Sequence, residues 1–119
     1  MIKPKTKEAA EEFQKSSGVL VSNQQHFDYE IIEKGYLIEQ DFVFYNTGDQ
    51  LVQLIEYEAS CNCTEIEASK IDIEPKDSVS IKMVVDTKDK HKGQHKVTAT
   101  LKTNGQRTFY YLSTTFEIE

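Results

Sequence analysis

Two cysteines, Cys61 and Cys63, stand one residue apart in Ala59-Ser60-Cys61-Asn62-Cys63-Thr64, and the 119-residue chain has no others. On an extended segment, side chains at i and i+2 leave the same face. Thiols placed in this way have three chemical uses. As thiolates they are soft ligands, sufficient for Cu(I), or half of a tetrahedral zinc site that His91 and His95 would complete. As a disulfide they close a very small ring, near the outer limit for bridging if the chain is extended, and such a bond is readily reduced. As plain thiols they are small apolar side chains that fill a crowded strand end. Cysteine's usual burial favours this last use. A soft-metal (copper or zinc) or thiol-redox site at Cys61, Cys63, His91 and His95 stands as the alternative.

The two histidines belong to Lys88-Asp89-Lys90-His91-Lys92-Gly93-Gln94-His95-Lys96, a basic stretch on a chain of net charge −6. A solvated connection around Gly93 explains that composition. The sharper use is a partner-binding loop, in which Lys88, Lys90, Lys92 and Lys96 meet phospholipid head groups or an acidic protein face. Nucleic acid fits poorly, because the chain is acidic and no aromatic platform accompanies the lysines. Carboxylates surround the cysteines: Glu56, Glu58, Glu65, Glu67, Asp72, Glu74 and Asp77. Their i, i+2 spacing reads as a solvated strand face, and the Asp/Asn/Gly grammar of a calcium loop is missing. So are the nucleophile elbow, the His-Glu-x-x-His zinc pair, the phosphate-cradling glycine loop and the dinucleotide fingerprint. The expectation is no enzyme and no cofactor.

Strands must position these residues, because from Val19 onward the hydrophobic period is two. Ile38, Phe42 and Phe44 share one face; so do Val79, Ile81, Met83 and Val85; so do Val97, Ala99 and Leu101; and so do Tyr110, Leu112, Phe116 and Ile118. Phe27 to Ile32 reads as a first strand and Ile71 to Ile73 as a short one. Leu51 to Ala59 alternates out of phase, which a bulge near Ile55-Glu56 would reconcile. Asn46-Thr47-Gly48-Asp49 reads as a turn with Gly48 available for positive φ, and Asn104-Gly105 as a hairpin turn. Strands and turns at these intervals predict an all-β, immunoglobulin-like β-sandwich of about seven to nine strands. Residues 1–18 differ. Thr6 to Lys15 has an N-cap threonine and early glutamates but a weak apolar face, which predicts a short helix or tethering arm ahead of a domain at 19–119.

Five landmarks in order resemble a bacterial family known as domain of unknown function 1573. They are Phe27-Asp28-Tyr29 with Gly35, Phe42 to Tyr45 leading into Asn46-Thr47-Gly48, Ser60-Cys61-Asn62-Cys63-Thr64, Ile73-Glu74-Pro75, and Asp86-Thr87. The match departs from the family in two places. Asn62 stands where the family has glycine between the cysteines, and Lys76 stands where it has glycine after the proline. Asn tolerates a left-handed backbone, whereas Lys76 calls for a turn without positive φ. The resemblance implies an immunoglobulin-like module of the bacterial periplasm or cell envelope, exported, commonly in Bacteroidetes-type bacteria, with no established enzymatic role. A lipid-anchored precursor is compatible with it.

The expected function is therefore a non-catalytic protein-interaction or structural module with a protein partner. It would act through loops and sheet edges, with Phe27 to Ile32 and the final strand Arg107 to Ile118 as candidate edges. No apolar run is long enough for a transmembrane helix.

Overall fold

The computed structural model describes residues 17–119; the helix or arm expected over Thr6 to Lys15 lies outside them. Among the described residues nine strands form two sheets. They are β1 (Leu20–Val21), β2 (His26–Ile32), β3 (Leu37–Asn46), β4 (Val52–Ala59), β5 (Thr64–Ala68), β6 (Asp72–Ile73), β7 (Ser78–Asp86), β8 (Gly93–Thr103) and β9 (Phe109–Ile118). One sheet runs β1-β3-β7-β5 and the other β2-β9-β8-β4-β6. All pairings are antiparallel except β2 with β9, which is parallel. This is an immunoglobulin-like sandwich.

The period-two pattern explains the packing. Ile38, Phe42 and Phe44 of β3 and Val79, Ile81, Met83 and Val85 of β7 face Val97, Ala99 and Leu101 of β8 and Leu112, Phe116 and Ile118 of β9, all buried. Burying a residue of this size is worth roughly 1.5–3 kcal/mol, so the two inner faces hold the sheets together. Phe44 meets Tyr110 edge-on with centroids 5.4 Å apart. The Tyr110 hydroxyl donates to the Leu20 carbonyl at 3.1 Å, and burial raises its phenol pKa above the ordinary value. Phe27 brings β2 onto the core through an edge contact with Phe42, centroids 5.2 Å apart. The bulge falls where the out-of-phase pattern puts it, between Leu54 and Glu56.

Four local expectations need correction. Gly48 is not at positive φ. It is required by close approach, since a Cβ there would lie 2.8 Å from the backbone of Gly18 and Val19. Lys76 does take positive φ, 70°, whereas Asn62 does not. A donor–acceptor pair holds the Lys76 backbone, its N–H donating to the Asn46 carbonyl at 2.9 Å. The β8–β9 hairpin exists, but Asn104-Gly105 does not turn it alone. Residues 104–108 loop out, closed by Thr103 N–H to the Thr108 carbonyl at 2.8 Å. Finally, β2 is an edge but β9 is not, because it lies between β2 and β8. A final strand of strongly alternating sequence buries one face whether or not it sits at an edge, so periodicity carried no order information.

Asn46 ties its turn to the segments around it. It is 1% exposed. Its Oδ1 accepts from Gly48 N–H (3.0 Å) and Val19 N–H (3.3 Å), and its Nδ2 donates to the carbonyls of Gln50 (2.8 Å) and Ile73 (2.9 Å). One side chain ties β3, the turn, β6 and the segment before β1.

Candidate functional site

The cysteines sit where β4 ends and β5 begins. Residues 60–63 are a bend and turn, not extended chain. Thr64 N–H closes the turn on the Cys61 carbonyl at 3.1 Å, and Ser60 ties it to β8 through the Thr98 backbone. The turn brings the two Cα atoms to 5.1 Å, and the sulfurs are joined as a disulfide. That separation lies within the ordinary range for bridged pairs. Both cysteines are half-buried and pack against the core. The favoured expectation of two plain thiols is corrected: the pair at the strand end is a disulfide.

Two donors converge on Cys61 Sγ. The Cys63 N–H reaches it at 3.1 Å and the Lys90 ammonium at 3.5 Å. Cys63 Sγ has Thr64 Oγ1 at 3.4 Å. Lys90 is held there by the β7–β8 connection. Its N–H bonds the Thr87 carbonyl at 3.0 Å, and the buried Thr87 hydroxyl donates to the Tyr36 carbonyl at 2.6 Å. Lys88 N–H caps on Asp86 Oδ1 at 3.0 Å, and Asp86 N–H meets the Cys63 carbonyl at 3.0 Å. The result is an open cleft of about 710 Å³ lined by the disulfide, Asn62, Leu37, Val84, Glu65, Asp86, Lys88, Asp89 and Lys90.

The other site residues foreseen from sequence are not gathered there. The His95 ring stacks on Phe116, centroids 5.4 Å apart, and its Nε2 lies 2.7 Å from the His91 carbonyl. His95 and Lys96 line a second depression with Asp28, Glu30, Ile31, Thr115, Phe116 and Glu117. His91 and Lys92 are exposed. No group of three or more His, Cys, Asp or Glu side chains among the described residues is placed to hold a metal ion. Lys88 and Lys90 thus join the cysteines, while the histidines go elsewhere. Sequence reasoning missed Leu37 and Val84 as cleft walls. The only available signal was Leu37's place out of phase with Ile38 in an apolar run.

The flank beside this cleft is open in both sheets. Among the described residues β5 pairs with β7 and has no strand on its other side; β4 pairs with β8, and β6 with the preceding Ile71 covers it from Val52 to Leu54. Bonds at the ends of β5 fix the parity of its ladder. The Cys63 carbonyl and Ser69 N–H both point to β7. By alternation, Glu65 and Glu67 spend their backbone groups on β7, while Ile66 and Ala68 direct theirs to the open side.

These features define a class: an immunoglobulin-like β-sandwich module with, among the described residues, an open edge and a cystine corner. The chain belongs to the family described as "Protein of unknown function (DUF1573)", which it matches over residues 20–118. No curated protein matches it by sequence. Similar solved structures include a protein of unknown function from Porphyromonas gingivalis W83, at 15% identity and TM-score 0.76, covering 87% of this chain and 48% of that one. The chain therefore spans about half the length of that protein. The ASH/PapD-like domain 7 of human CEP192 superposes at TM-score 0.67 and 10% identity, covering 100% of this chain and 93% of that one. The periplasmic chaperone SfaE does so at 0.64 and 10%, covering 85% and 58%. At these identities the likeness is one of fold.

Proposed function

We propose that this chain is a non-catalytic protein-interaction module of a bacterial cell envelope, which takes an extended segment of another protein onto the edge of β5. The observation that carries this is the open flank, where Ile66 and Ala68 direct backbone groups away from β7 with no strand beside them among the described residues. A row of such groups is a template for an added strand.

The side chains define the chemistry of the added strand. Glu65 and Glu67 are exposed on the outer face, and Thr64, Ile66 and Ala68 face inward, half-buried. A complementary strand alternates Lys or Arg with small apolar residues. The β2 edge of the other sheet is less suitable: β2 is bulged between Asp28 and Ile31, with Glu30 at φ 60°, a shape that blunts pairing. An envelope location is supported by the likeness to a periplasmic chaperone and to a Porphyromonas protein. A disulfide also fits an oxidising compartment.

Selection of displayed random peptides on the purified protein tests this. Enriched peptides should alternate basic and apolar residues and lose binding to Ala68→Pro, which removes one outward N–H and leaves the ladder to β7 intact. Enriched peptides that bind the proline variant equally well, or no enrichment at all, would count against the edge.

A further inference from the structure

We infer that the Cys61–Cys63 disulfide is a thiol–disulfide exchange site in which Lys90 stabilises Cys61 as the thiolate. This goes beyond the edge-binding function and does not depend on it. Cys61 Sγ has two donors, the Cys63 N–H at 3.1 Å and the Lys90 ammonium at 3.5 Å, whereas Cys63 Sγ has one uncharged donor, the Thr64 hydroxyl at 3.4 Å. Both favour negative charge on Cys61 once the bond opens. The fold fixes the backbone from which the lysine reaches, since the Lys90 N–H is bonded to the carbonyl of Thr87, which is fully buried.

The asymmetry sets the direction of attack. The sulfur that leaves most readily is the one whose thiolate is most stabilised, so an incoming thiolate attacks Cys63 Sγ and expels Cys61. The co-reactant is a dithiol, of a protein or a small molecule. Its first thiolate forms a mixed disulfide with Cys63, and the S–S electron pair goes to Cys61. Its second thiol, on losing its proton, attacks the first, closes the dithiol's own disulfide and releases Cys63 as a thiolate that takes up a proton. Cys61 and Cys63 gain two electrons and the dithiol loses two. The cleft is open, and the half-exposed Leu37 on its wall gives an apolar partner surface something to rest on. Glu65, Asp86 and Asp89 line it opposite the ammoniums of Lys88 and Lys90, so the cleft carries both signs of charge and sets only a weak preference against anionic thiols.

The test equilibrates the folded protein with reduced and oxidised dithiothreitol and counts free thiols by mass after alkylation. The wild type should be reduced without unfolding. Lys90→Ala should require about a tenfold higher ratio of reduced to oxidised dithiol for half reduction, ~30 mV for a two-electron couple, and Lys90→Arg should restore the wild-type midpoint. In the single-thiol variants, thiolate absorbance should appear at lower pH in Cys63→Ser, which retains Cys61, than in Cys61→Ser. Coinciding midpoints for wild type and Lys90→Ala, or a disulfide that opens only in denaturant, would overturn the assignment.

Discussion

At the scale of single residues, the positions that matter most are those where one side chain satisfies backbone groups of several segments. Asn46 is the clearest. Replacing it with Ala leaves two N–H groups and two carbonyls of partly or fully buried backbone without their partner. Each such loss costs roughly 1–3 kcal/mol, less where water can enter, so Asn46→Ala should destabilise by about 3 kcal/mol in urea unfolding. Gly48→Ala should cost about 1–3 kcal/mol, because backbone has to shift to admit the Cβ. Asn46-x-Gly48 was legible as a turn, but its reasons were not. A sequence shows that Asn and Gly favour turns; it does not show that Gly18 passes over Gly48. Cys61 and Lys90 show the same limit. Each stood out by residue type, yet their contact depends on β7 and β8 placing residue 90 beside residue 61.

At the scale of elements, alternation was legible wherever a strand buries one face, as β3, β7, β8 and β9 do. The bulge in β4 was legible as well, because a phase error in alternation has few physical remedies. The start of β7 adds a pH dependence that alternation could not disclose. Asp77 accepts from the Lys70 ammonium at 2.7 Å and from Ser78 N–H at 2.8 Å. The Lys70 hydrogen bond first, and the Ser78 bond next, lower the Asp77 pKa from its ordinary value. A carboxyl whose folded pKa is lowered contributes stability above its unfolded value and loses that contribution as pH falls through the folded one. Thermal unfolding should therefore show an acid limb to which Asp77 contributes, and Asp77→Asn should flatten it while leaving the neutral-to-alkaline slope unchanged. Both side chains are substantially exposed, so the difference should shrink in high salt.

At the scale of the whole molecule, what matters is which strands lie at the rims of the two sheets. This was the least legible level. Alternation gives each strand its inner face but no neighbour, so β2 and β9 both read as edges when only β2 is one. The open flank at β4 and β5, lying next to the cystine corner, is visible only once strand order is known. Acidic side chains on that flank, on a chain of net charge −6, predict that association with a basic strand weakens as salt rises. Glu65→Lys with Glu67→Lys should reverse the partner's charge preference and leave the fold intact, since both positions are exposed.

The most direct measurement is backbone amide exchange by NMR, with and without a peptide selected on the wild-type protein. Strand addition at β5 predicts new protection at Ile66 and Ala68, whose N–H groups face the open side, and little change at Glu65 and Glu67, already bonded to β7. Protection gained elsewhere, with Ile66 and Ala68 exchanging as before, would contradict it.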